Sequence, residues 1–382
     1  MIKRNLLLMT KSPKERILNT FSGKKIDQIV FSPRIYYWYN ENKVFFKSKK
    51  GGQKKHVPEN YDGKSQQEIY DMLNASPRYV FETYFISLFD TIIESDAGVE
   101  IQNKRGKDRN EIIKIFKTPK GELTSRIKHF HIQEYPIKSL DDIEIMKIVL
   151  DNSTFQFNHK NYEKAKEMMG DSGVISEYIP RSPYMRLVVD YIGFVNTILL
   201  LRKHPKEIEE FMNFIDSWND QIFDVVNKSP LKIINFGENL DANLSPPPYF
   251  KKYLVPYYNK RVKELHKAGI MSHIHMDGSL KDLLPFLEDL PFDGLEALTA
   301  KPQGDVTLEE LRDSIGSKIL LDGIPSILFL NEYSDKQVLD FTKKVLDLFF
   351  PRLILGVSDE FPPNGNIRKL EMISEVIKDY TR

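Results

Sequence analysis

Two patterns of apolar and polar residues recur along the chain. One is a short run rich in Ile, Leu or Val that breaks off at a polar residue, glycine or proline: residues 29–34 (IVFSPR), 174–179 (VISEYI), 232–236 (KIINF), 270–275 (IMSHIH), 294–298 (GLEAL), 318–323 (KILLDG) and 352–357 (RLILGV). Continuous apolar runs of this length suit strands buried on both faces of a parallel sheet. The other pattern is helical spacing, over 205–227, 249–268, 307–315, 334–349 and 366–380. Strand and helix alternating at this pitch predict a parallel α/β architecture with right-handed crossovers. With a further strand between residues 78 and 100, the runs would close a (β/α)8 TIM barrel over the whole chain, 1–382. A doubly wound open sheet is the alternative, but its glycine-rich first turn is missing, since neither GxGxxG nor GxxxxGKS occurs.

Three segments depart from this rhythm. Ser12-Pro13-Lys14-Glu15 is a capping box with proline at the first helical position, and Ile17, Leu18 and Phe21 follow at helical spacing up to Gly23. It predicts an N-terminal helix. Residues 97–131 alternate apolar and polar positions around Pro119-Lys120-Gly121-Glu122, which predicts an inserted β-hairpin. Residues 43–64 are rich in lysine and contain Gly51-Gly52, as in a solvated surface loop, with a phosphate or partner clamp as the alternative.

Composition narrows the function classes. The chain is 41% hydrophobic and 29% charged, which suits a globular core and not a disordered or fibrous protein. Lys plus Arg (55) balances Asp plus Glu (54), so no general charge attraction draws it to nucleic acid or an anionic membrane, and a small-molecule substrate is expected. The absence of cysteine excludes disulfides, thiol nucleophiles and thiolate metal ligands. The early apolar run Leu6-Leu7-Leu8-Met9 is too brief for a signal-peptide core or a membrane span, so the expected location is the cytoplasm.

In a barrel the catalysts collect at the carboxyl ends of the strands, so the sequence can be searched by position. The strongest cluster is Ser272-His273-Ile274-His275-Met276-Asp277-Gly278. On an extended strand His273, His275 and Asp277 share one side, and Gly278 would turn the chain at the rim. His275 and Asp277 suit either one metal ion or an acid–base pair; hydrogen bonding within the fold and helix capping are the structural alternatives. Phe236-Gly237-Glu238-Asn239 puts Glu238 at the same rim as a metal ligand or general base, or as a carboxylate tied to backbone amides. Asp359 or Glu360 would complete a ligand set, or order the last loop. Arg34 and Arg181 suit a substrate carboxylate, and Glu177, Glu296, Lys301 and Asp322 are further rim positions. Tyr36, Tyr37, Trp38 and Tyr39 either wall a pocket for a flat substrate or pack in the core.

The blocks KERILNTFSGKKIDQIVFSPR, INFGENLDANLSPPPYFKKYLVPYYNKRVKELHKAGIMSHIHMDG, GLEALTAKPQGDVTLEELRDSIGSKILLDGI and LILGVSDEFPPNGNIRKLEMISEVIKDY resemble the uroporphyrinogen decarboxylase superfamily. The resemblance implies a (β/α)8 barrel and either porphyrinogen decarboxylation or methyl transfer with corrinoid proteins. True decarboxylases carry RPxWxMRQAGR near the first strand; here Phe31-Ser32-Pro33-Arg34-Ile35-Tyr36-Tyr37-Trp38 stands there, without the further arginines and glycine. Corrinoid-linked relatives carry a zinc motif H-x-C-G, matched by His275-Met276-Asp277-Gly278 with aspartate for cysteine, and a later zinc cysteine, in whose place Ser358-Asp359 stands. Carboxylates in place of thiolates would leave a zinc ion a harder Lewis acid, matched to oxygen. The resemblance thus implies an O-demethylase-like methyltransferase with zinc on His275, Glu238 and Asp277 or Asp359. Tyr36, Trp38, Arg34, Arg181 and Glu296 would hold a small methyl ether, and the corrinoid would be carried by a separate protein. A metal-independent decarboxylase or lyase for a carboxylate-bearing substrate is the alternative.

Overall fold

The computed structural model describes residues 11–48, 54–94, 98–108, 111–128, 131–378 and 380. Seven of the expected strands form one parallel sheet: β1 (Val30–Phe31), β2 (Tyr178–Ile179), β3 (Ile233–Leu240), β4 (Met271–Met276), β5 (Gly294–Glu296), β6 (Ile319–Pro325) and β7 (Leu353–Ser358). They lie in the order β1-β7-β6-β5-β4-β3-β2, and every pairing is parallel. From β2 to β7 each neighbour in sequence is a neighbour in space, and β7 lies beside β1, which is the order of barrel staves. The gap between β1 and β2 is spanned by residues 76–80: Ser76 N–H donates to the Phe31 carbonyl and Val80 N–H to that of Ser176. This is the eighth stave, which begins just before the 78–100 window and overlaps only its start. It forms no regular ladder because Pro77 has no N–H to give.

Long helices cover the outside of the barrel where expected, among them Pro205–Lys228, Val255–Lys267 and Asp335–Phe349. The N-terminal helix, Pro13–Phe21, has the foreseen reciprocal cap: Glu15 N–H donates to Ser12 Oγ at 3.2 Å and Ser12 N–H to the Glu15 carboxylate at 2.9 Å. Its Ile17 and Phe21 pack against Val30, Val174, Ile233, Ile319, Leu321 and Ile354, and so plug one end of the barrel. Burying two such side chains contributes about 1.5–3 kcal/mol each. No helix among the described residues is long and apolar enough to cross a membrane.

The insertion is larger than a hairpin. Glu111–Thr118 and Gly121–Lys128 pair around Pro119-Lys120 as expected, and Glu100–Arg105 and His131–Glu134 add a strand on either side. A separate antiparallel pair joins Phe89–Ile93 to Ser153–Phe157. The outer strands escaped the sequence pattern because EIQNKR and HIQE are mostly exposed and polar. In the segment 43–64, Gly51-Gly52 lie outside the described residues.

Candidate active site

Parallel register sets the site. His273 and His275 both point inward from β4, with His273 beside Asn235 of β3 and His275 beside Glu296 of β5. Glu296 is fully buried, and four donors converge on it: Arg78 Nη1 at 2.8 Å, the Tyr79 hydroxyl, Asn235 Nδ2 at 2.7 Å and His275 Nδ1 at 2.9 Å. Burial opposes ionisation of this carboxyl, but His275, His273 and Arg78 outweigh it and hold it well below the usual carboxylate range. The other ring nitrogen of His275, Nε2, faces Asp359 Oδ1 at 3.5 Å, at the end of β7. An imidazole with a carboxylate at each nitrogen carries both protons: burial works against the charge, yet the bonds to Asp359 and Glu296 push its pKa up to about 10.

Arg78 also lies 2.6 Å from Asp322 Oδ1, but its Nη1–H is aimed at Glu296. Asp322 is thus neutralised without an aligned hydrogen bond, and burial raises its pKa. Gly356 permits this approach, since a Cβ there would meet Asp322 Oδ1 at 2.6 Å and the Ser32 carbonyl at 2.8 Å. Asp322 (φ 85°), in the middle of β6, and Asp359 (φ 67°), just after β7, both hold left-handed backbone, a strain that collects at functional sites.

Above this buried layer opens a cleft of about 910 Å³, lined by Arg34, Tyr36, Arg181, His275, Asp359 and Glu360 among others. Arg34 spans three acids: Glu82 at 2.5 Å, Glu360 at 3.1 Å and Asp359 Oδ1 at 3.6 Å. Glu82 also accepts from the Tyr178 hydroxyl at 2.8 Å. Arg181 pairs with Asp190 at 3.1 Å.

Several expected site residues lie elsewhere. The register between β3 and β4 slips, with Ile274 opposite Phe236 but Met276 opposite Leu240, so β3 bulges. Gly237 and Asn239 reach the cleft, whereas Glu238 turns behind it and accepts from Ser182 N–H at 2.8 Å and Ser182 Oγ at 2.9 Å. Burial raises its pKa to about 7 despite these bonds. Trp38 belongs to the helix Tyr36–Glu41 and packs edge-on to Tyr61 and Phe361 in the core, so of the aromatic run only Tyr36 and Tyr37 reach the cleft. Asp277 sits beyond the end of β4 with no hydrogen bond or ion pair to His275, and burial raises its carboxyl. Gly278 (φ 78°) makes the foreseen turn, where a Cβ would meet Asp241 Oδ2 at 2.7 Å. Asp305 caps the next turn in place of Asp277, accepting from Leu280 N–H at 2.9 Å. Glu296 supports His275 from below and does not line the cleft. Glu177 bonds to Leu88 N–H and Ser87 away from His275. Arg78, Tyr79, Glu82 and Tyr178 were missed, the first two because the stave at 76–80 has no strand pattern.

This arrangement does not fit the zinc that the resemblance implies. Both nitrogens of His275 face carboxylates, Glu238 faces away, and among the described residues no three His, Asp or Glu side chains converge to hold a metal ion. What the site can do is present a charged hydrogen-bond donor, steadied from behind by Glu296, to an oxygen atom in the cleft.

Among curated proteins, none matches the sequence. Of the solved structures, a methyltransferase from Methanosarcina mazei superposes with a TM-score of 0.60 at 13% identity, over 97% of this chain and 99% of that one. A B12-independent methionine synthase from Shewanella sp. W3-18-1 gives 0.44 at 12% identity, over 92% and 98%. The first likeness supports the barrel fold. The sequence model described as uroporphyrinogen decarboxylase (URO-D) matches residues 134–380, well over half of the chain and every barrel strand from β2 to β7. The chain belongs to the uroporphyrinogen decarboxylase (URO-D) family.

Proposed function

We propose that this protein is a methyltransferase of the URO-D type, which takes a methyl group from a small methyl ether bound in the cleft and passes it to a reduced corrinoid on a separate protein. The observation that carries the reading is His275, held between Glu296 and Asp359 at the cleft floor with a proton to give. The corrinoid supplies the nucleophile that accepts the methyl group. The ether C–O bond breaks with its electron pair left on oxygen, and that oxygen takes the His275 Nε2 proton as the Asp359 carboxylate gives way. The released alcohol and a later proton from solvent restore the site. Family membership and the fold of the Methanosarcina enzyme support methyl transfer in general. The alternative, decarboxylation of a carboxylate-bearing substrate, needs a free guanidinium, yet Arg34 already spans three acids and Arg181 is paired with Asp190.

The test is turnover of a panel of methoxylated compounds with a reduced corrinoid protein as acceptor. His275→Gln is expected to slow turnover by about 10²- to 10⁴-fold, the usual worth of a positioned proton donor. Treatment with a strong chelator is expected to leave turnover unchanged. Activity that vanishes on chelation and returns with zinc would remove His275 from the role of proton donor.

A further inference from the structure

We propose that the cavity between the inserted sheet and the barrel is a second ligand site, which takes an amphipathic carboxylate with its charged end at Arg186 and its apolar body along the sheet. The cavity measures about 810 Å³, room for a molecule of ten or more heavy atoms. Its wall is apolar where Phe116, Met146, Val149 and Leu150 meet. Into this wall comes Arg186, which is 4% exposed. Its guanidinium lies over the Trp218 ring, 4.9 Å from the centroid, and among the described residues no carboxylate stands within ion-pair distance of it. A buried cation without a counter-charge is costly, and an arginine in that state is met best by a planar carboxylate.

A second cation reaches the same space. Lys114, from the inserted strand Glu111–Thr118, lies over the Phe116 ring at 5.0 Å and has no ion-pair partner among the described residues. Burial lowers its pKa, with Asp190 alone working the other way. Asp190 already serves Arg181 in the active-site cleft. Of the three acids at the wall, Glu94 and Glu100 are exposed and Asp190 is shared with Arg181, so against the buried Arg186 a single negative charge is the best complement. The apolar lining asks for a hydrocarbon or aromatic body in place of a sugar or nucleotide.

The cavity is distinct from the active site but adjoins it. Pro180 and Asp190 line both, and the short stretch Arg181 to Asp190 offers one arginine to the cleft and the other to the cavity. The inference rests on Arg186, Lys114 and Trp218, none of which the methyl-transfer reading uses, so either can fail alone.

Calorimetric titration of the full-length protein with decanoate and with decanol separates charge from hydrocarbon. Decanoate is expected to bind at least about tenfold more tightly than decanol, as charge-assisted bonds to a desolvated guanidinium imply. It should also change the emission of Trp218, a change lost in Trp218→Phe although the heat of binding remains. Arg186→Gln is expected to bring the two affinities within about twofold. Should that variant fail to fold, by circular dichroism, Lys114→Met is expected to narrow the preference instead. Equal affinity of the wild type for decanoate and decanol, no binding of decanoate, or a preference unchanged in the folded variants would overturn the proposal.

Discussion

His273 and His275 stand two positions apart on one face of one strand, about 7 Å from each other, and the barrel treats them in opposite ways. His275 meets an acid at each nitrogen, whereas His273 stacks on Tyr79 and lies tilted against Phe21 with its Nδ1 unpartnered, and burial lowers its pKa to about 4. The signs follow. The raised pKa of His275 contributes stability in full below its unfolded value near 6.5, and this is lost as pH rises toward about 10. The lowered pKa of His273 contributes stability above 6.5 that is lost as pH falls toward about 4. Histidine NMR is expected to show His275 still charged at pH 8 and His273 neutral at pH 6, and Glu296→Gln should move the His275 midpoint down; a His275 midpoint near 6.5 in the wild type would contradict this account. The match of His275-Met276-Asp277-Gly278 singles out His275, but the opposite ionisation of the two is not legible in SHIHMDG, because what decides it is the residue opposite each on the neighbouring strands.

At the scale of elements, the apolar runs were legible because a parallel strand buried on both faces needs them, and every residue of β6 and β7 is buried. The helix Pro13–Phe21 was legible from its cap and stop. What stayed hidden were departures from regularity. The bulge in β3 turned Glu238 off the cleft, and Gly237, the one residue that marks it, reads equally well as the end of the strand. Glu238→Gln keeps the shape and removes a buried charge, so it is expected to leave turnover within about twofold and to hold or raise Tm at pH 8. Glu238→Ala leaves two donors of Ser182 without an acceptor and should cost about 1–3 kcal/mol in urea unfolding. If the Gln variant instead turns over about a hundredfold more slowly, the loss expected for a group that moves a proton, Glu238 returns to the reacting centre. Gly356→Ala tests the close packing of β6 and β7: with Asp322 Oδ1 and the Ser32 carbonyl within 3 Å of the new methyl, about 1–3 kcal/mol of destabilisation is expected.

For the molecule as a whole, the question is what closes a barrel whose second stave is not a strand. The backbone gives few bonds there, and the link runs instead through the interior, where Arg78 leaves that stave and reaches Glu296 on β5, Asp322 on β6 and the Ser32 carbonyl beside β1. One buried guanidinium thus ties together four staves and anchors the carboxylate beneath His275. Arg78→Met keeps most of the volume but leaves buried Asp322 without its cation and Glu296 with His275 alone, so about 3–5 kcal/mol of destabilisation is expected, more than for an average core substitution. Its pH dependence identifies the cause. Without Arg78 the folded-state pKa values of both Glu296 and Asp322 rise, so Glu296 loses part of what its lowered pKa contributes at high pH, and Asp322, already raised, moves further above its unfolded value. A carboxyl raised in the folded state stabilises below its unfolded pKa and loses that stability as pH rises. The deficit of Arg78→Met, measured as the shift in urea midpoint against wild type, should therefore be smaller at pH 5.5 than at pH 8. A deficit independent of pH would mean that Arg78 acts through packing, and that closure of the barrel rests on the apolar contacts of the neighbouring staves.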